Sequence, residues 1–159
     1  MRRLLTFAVL VALALPAAVA ARTLGPSDGT LSVSDGRGTV VISGHGAVIG
    51  NFARGSVMIN DPIDGDGTGP IVTGDDWGPA EKSPTATTWG GTKVRFRIIG
   101  GTFRVVVKGR GINLSVVGRG TVTLNGAGTG DDGTYSVNGA ADTMLPDLPF
   151  GFFLSATTP

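Results

Sequence analysis

Beyond its first twenty residues this chain has no stretch of ten or more residues with the apolar spacing of a helix, and glycine recurs between short Val- and Ile-rich runs. A glycine inside a helix costs about 1 kcal/mol relative to alanine, so twenty-seven of them leave little room for helical structure. They follow no three-residue period, which sets aside a collagen-like chain. Short β-branched runs separated by Gly, Asn and Asp instead predict an all-β domain with many tight turns.

The runs read as about ten short strands. "TLSVS" (30–34), "TVVIS" (39–43), "AVIGNF" (47–52) and "SVMIN" (56–60) come first. A long loop at about 61–91 follows, holding Pro62, Pro70, Pro79 and Pro84, with "IVT" (71–73) and "TATTW" (85–89) as its strand candidates. Then come "KVRFRII" (93–99), "TFRVVVK" (102–108), "INLSVV" (112–117), "TVTLN" (121–125) and "TYSVN" (134–138). The tail "LPFGFFLSA" is expected to return Phe150, Phe152 and Phe153 as a closing strand or core plug. This spacing predicts a single antiparallel β-barrel or barrel-like sandwich. A β-solenoid is the alternative, with glycine pairs as its corners.

An internal echo supports a pseudo-symmetric fold. "GTLSV" (29–33), "GRG" (36–38) and "GHGAV" (44–48) are followed in the same order by "GTFRV" (101–105), "GRG" (109–111) and "GRGTV" (118–122). Duplication and chance in a Gly-, Val- and Thr-rich chain both give such a match. The Gly-x-Gly pieces are not phosphate-binding fingerprints, because a strand pattern and not a helix follows each.

The first twenty residues have the layout of a cleavable signal peptide: a positive start in "MRRLL", an apolar run, Pro16, and a small-x-small Ala18-Val19-Ala20. The run is short of the roughly 20 residues that cross a bilayer, and no second one follows, so no membrane span is expected after cleavage. The expected location is secreted or extracytoplasmic, in the cell envelope. With no cysteine there is no disulfide framework and no thiolate metal site.

Charge is segregated along the expected domain, 21–159. Residues 82–130 carry eight bases and no acid, whereas residues 21–81 hold eight acids against three bases. The basic block centres on "KVRFRIIGGTFRVVVK" (93–108). Gly100-Gly101 suits a primed two-residue turn, which would make a hairpin with Arg97 facing Arg104 and Lys93 facing Lys108. Alternation then puts Val94, Phe96, Ile98, Phe103, Val105 and Val107 on one face and Lys93, Arg95, Arg97, Arg104 and Lys108 on the other. Three arrangements compete: acids from the long loop neutralise the ribbon, the ribbon stands exposed to bind an anion, or it is a solvated face with no partner. For an exported protein the anionic partners are cell-wall phosphate polymers, acidic polysaccharides or released nucleic acid, the last without sequence readout.

Other chemistry is thin. Asp61, Asp64 and Asp66 in "DPIDGDG" are hard oxygen ligands that fit Ca2+ in part, but lack the aspartate spacing and closing glutamate of an EF-hand. No other cofactor is expected. His45 is the one histidine, so the usual zinc sites and a Cys–His pair are excluded, and no "GxSxG" elbow is present. The acids sit in "DGDG", "GDDW" and "GDDGT" turns, where bonding to the backbone accounts for them. Trp77 and Trp89 fit either a sugar-stacking role or anchoring of the loop. The expectation is an exported non-catalytic binding or envelope-associated protein whose basic hairpin engages an anionic polymer. A structural β protein that assembles through strand edges is the alternative, and a glycoside hydrolase built on loop carboxylates is a third.

Overall fold

A computed structural model of the protein describes residues 25–63, 65–74, 76–78 and 80–158. The expected signal peptide, Asp64 and Asp75 lie outside them.

The described chain is all-β and antiparallel throughout, but its strands are not ten short ones. Two very long strands, β1 (Gly29–Asn60) and β4 (Thr87–Gly126), make most of the sheet. The expected segments at 30–34, 39–43, 47–52 and 56–60 are all stretches of β1, and those at 93–99, 102–108, 112–117 and 121–125 are all stretches of β4. The glycines between them do not turn the chain back. They bend a strand that continues.

β1 uses both of its edges to pair with β4. On one edge Gly29 faces Gly118, Ile42 faces Val105 and Ile59 faces Thr87; on the other Gly38 faces Gly126, Ile42 faces Val122 and Ile59 faces Val105. Walking across from Leu31 to Val116 to Val48 therefore brings the sheet back to β1 itself. Two such walks build two layers. The first runs Val137, Leu31, Val116, Val48, Ile98, and the second runs Phe152, Val122, Ile42, Val105, Ile59. Each long strand passes from layer to layer at its glycines.

Short strands complete the edges. β2 (Gly67–Thr73) and β3 (Glu81–Lys82) pair with β4, so the expected long loop contributes an edge strand of its own. β5 (Thr134–Val137) pairs with β1, β6 (Thr143–Met144) with β5, and β7 (Phe150–Leu154) with β4. Hydrogen bonds do not close the sheet into a barrel, and the fold is a barrel-like sandwich. Its antiparallel ladders set aside the solenoid alternative, whose coils stack in parallel.

One apolar cluster fills the space between the layers, with Leu31, Val48, Phe52, Val57, Val105 and Leu124 at its centre. The alternation read from the sequence holds: Val94, Phe96, Ile98, Phe103, Val105 and Val107 are all buried. The tail differs from expectation. β7 does close an edge and Phe152 packs half-buried against the core, but Leu154 is its fully buried residue, while Phe150 and Phe153 are exposed at 47% and 58%.

The hairpin at 93–108 does not form. Gly100 and Gly101 have the positive φ expected of a primed turn (80° and 82°), yet Ile99 pairs with Ala47 and Thr68, and Thr102 pairs with His45. The left-handed backbone carries β4 between layers instead of folding it back. A hairpin would have set Arg97 against Arg104 and Lys93 against Lys108, at a few tenths to about 1 kcal/mol per pair. The observed pairing places Arg97 beside Ile49 and Ile71, and Arg104 beside Ser43 and Asn60. Lys93 leaves the strand geometry altogether, with φ 56° at the bend.

A candidate anion-binding surface

The layer crossing divides the expected basic ribbon. Arg95 and Arg97 point outward from the first layer, and Arg104 and Lys108 point outward from the second. They do not form one patch. On the first layer Arg95, Arg97 and their neighbours Ile49, Asn51 and Ile71 line a groove of about 290 Å3. A second groove of about 390 Å3 shares Arg95 and Asn51 and reaches Lys93 and Asp35. On the second layer Arg104 donates from Nη1 to Ser43 Oγ at 3.2 Å, and Lys108 stands between Thr39 and Ser56.

Among the described residues none of Lys93, Arg95, Arg97, Arg104 and Lys108 is ion-paired with a carboxylate, though Asp35 shares a groove with Lys93 and Arg95. Acidic side chains hold loops instead. Asp66 Oδ2 accepts from Thr102 N–H at 2.8 Å, pinning the long loop to the Gly100-Gly101 bend. Asp76 accepts from Thr92 twice, from Oγ1 at 2.6 Å and N–H at 2.7 Å, and the hydroxyl bond above all holds its carboxyl below the ordinary range. Asp132 is buried; it accepts from the Thr129 hydroxyl and from Gly128 N–H at 2.6 Å, and the Thr129 hydroxyl is the largest cause of its lowered pKa.

Because Asp132's pKa is lower folded than unfolded, its stabilisation is complete above the unfolded value of about 3.8 and is lost as pH falls through the depressed one. Thermal melts of wild type are therefore expected to drop steeply below pH 4. Asp132→Asn should melt lower at pH 7 and show a shallower acid limb; identical limbs for the two proteins would remove Asp132 as the cause.

No cluster of three His, Cys, Asp or Glu able to hold a metal occurs among the described residues. Of the calcium candidates, Asp66 is engaged by Thr102 and Asp64 lies outside the described residues. His45 sits between Thr102 and Arg119 in the ladder, with Nδ1 3.5 Å from Thr102 Oγ1. The two tryptophans sit in different surroundings. Trp89 packs against the core and lines a cavity of about 470 Å3 with Asn60, Asp61 and Ser83. Trp77 is 53% exposed, donates its backbone N–H to Gly90 O at 3.2 Å, and has the Arg54 guanidinium 5.5 Å from its ring centre.

Sequence reading missed the densest group of cations. Arg110 faces Arg37 across one ladder and Arg54 across the other, so three arginines stand side by side on adjacent strand stretches, all exposed. The echo pointed at two of them: "GRG" at 36–38 lies against "GRG" at 109–111, and Gly46 likewise faces Gly118. A simpler mark was available as well. Arg37, Arg54 and Arg110 each precede a glycine, at the bends where the strands cross between layers.

Set against protein-family models, curated proteins and solved structures, the chain matches none of them.

Proposed function

We propose that the protein is exported, that the chain after residue 20 is its working form, and that it is a non-catalytic, envelope-associated binding module for an anionic polymer. The observation that carries this reading is the separation of charges. No outward arginine or lysine is ion-paired with a carboxylate among the described residues, and Arg54 feels one at longer range, Asp76; Asp66, Asp76 and Asp132 are held on nearby N–H and hydroxyl groups. Arginine offers planar, bidentate donors to carboxylate, sulfate or phosphate, and a row of them gains more from a polymer than from a single ion.

The test is retention of the 21–159 chain on immobilised heparin along a salt gradient. Retention at low salt and release as salt rises are expected, because each neutralised anion frees a counterion. Flow-through at low salt would overturn the reading. A second reading, self-assembly through a strand edge, is favoured by β7, whose Phe150 and Phe153 are exposed. Sedimentation of ligand-free protein over a concentration series separates the two.

A further inference from the structure

Resting on that reading, we infer that the Arg37–Arg110–Arg54 row, with Lys108 in the outward row beside it, is the binding site, and that its ligand is an acidic glycan with a carboxylate on each sugar. The fold separates the like charges of the 93–108 ribbon and then sets three arginines against one another elsewhere. Such a row is unfavourable at every contact. The bend in the strands does not relieve it, because bending along the chain leaves the spacing between strands unchanged. Asp76 offsets it in part at the Arg54 end, and a ligand that supplies negative charge at Arg110 and Arg37 accounts for the rest.

The row is held ready at its ends and open at its centre. Arg37 Nη1 reaches Thr129 Oγ1 at 3.4 Å, and Arg54 lies by the ring of Trp77 and within electrostatic reach of the Asp76 carboxylate. The Arg110 side chain, between them, makes no hydrogen bond or ion pair among the described residues. Neighbouring strands stand about 4.8 Å apart, close to the length of one sugar along an extended chain. A polymer lying across the strands would therefore bring one carboxylate to each guanidinium.

The surroundings suit a sugar as well as an anion. In the next outward row Lys108 is flanked by Thr39 and Ser56, whose hydroxyls match sugar hydroxyls. Trp77 is seated against Gly90, where a side chain would come within 2.6 Å of the indole Cε3, and it offers an exposed aromatic surface at the Arg54 end of the row. The first layer has cations too, Lys93, Arg95 and Arg97, but they follow one strand, with Arg97 set between Ile49 and Ile71 and Arg95 between Asn51 and Thr73.

The experiment compares two charge-matched triple variants of the 21–159 chain, Arg37→Gln/Arg54→Gln/Arg110→Gln and Lys93→Asn/Arg95→Gln/Arg97→Gln. Binding of oligogalacturonate, polyphosphate and single-stranded DNA is followed by calorimetry and by tryptophan emission. The expected result is at least a tenfold loss of oligogalacturonate affinity in the first variant and less than threefold in the second, with a wild-type emission change that Trp77→Phe removes. Arg110→Gln, which breaks no internal bond, guards against misfolding and should still lose several-fold. Equal losses in both triple variants, or a larger loss in the second, would overturn the site. Tighter binding of polyphosphate or DNA than of oligogalacturonate would overturn the glycan assignment. Heparin retention of wild type stands or falls separately, so a wrong site is distinguishable from a wrong function.

Discussion

Gly38→Ala is expected to cost on the order of 3 kcal/mol and to lower the melting temperature by about 10 °C. Gly38 has φ 133°, a region closed to residues with a Cβ, and an added Cβ would press on the carbonyl oxygen of Asn125 across the ladder. That neighbour is backbone in a paired strand, so it has no rotamer to escape into. Gly38 also belongs to a line that crosses the sheet from Gly126 through Gly38, Gly109 and Gly55 to Gly91, each facing the next. With no side chains along this line, the strands can bend sharply enough to enter the other layer. Gly69→Ala is the control: an added Cβ there meets nothing within 4 Å, and the change should stay within about 0.5 kcal/mol. Equal melting of the two variants would show that the glycine line is not what permits the bend.

The same glycines explain which parts of the fold could be read from sequence. Alternation along 94–98 and 103–107 identified the buried set correctly, because a strand buries every second residue whichever strand it pairs with. Pairing is a different question. Gly100-Gly101 supplies a positive φ that a hairpin turn and a layer crossing both need, and only the distant partners Ala47 and His45 decide between them. The "GRG" tripeptides were ambiguous for the same reason, and the row of Arg37, Arg110 and Arg54 appears only once the register is known. The charge map told where bases and acids lie along the chain. It could not tell that Asp66 and Asp76 would turn to Thr102 and Thr92, since those bonds depend on how the loop docks. In the tail, Phe152 packs against the core as its hydrophobicity suggests, but strand parity on β7 makes Leu154 the fully buried residue and turns Phe153 outward.

Phe52→Ala is expected to cost about 4 kcal/mol, and to cost it everywhere at once. Phe52 is 1% exposed and sits where β1 leaves the first layer, opposite Val94 and with its ring 6.5 Å from that of Phe96. Phe96 in turn lies over Gly50, whose missing side chain makes room for the ring, so neither aromatic has space to slide into the cavity left by the other. In a sandwich of separate hairpins such a loss could stay in one layer. Here β1 and β4 each thread both layers, so release of the first layer acts on the same two chains that build the second. Native-state hydrogen exchange should therefore show equal losses of protection at Val48 in the first layer and Val107 in the second. Wild-type protection at Val107 beside a loss at Val48 would mean that the layers open independently and that threading does not couple them. The threading also predicts slow folding, in the millisecond-to-second range of β domains dominated by distant contacts, because the ladder must bring together positions as far apart as Gly29 and Gly118 before either layer is complete.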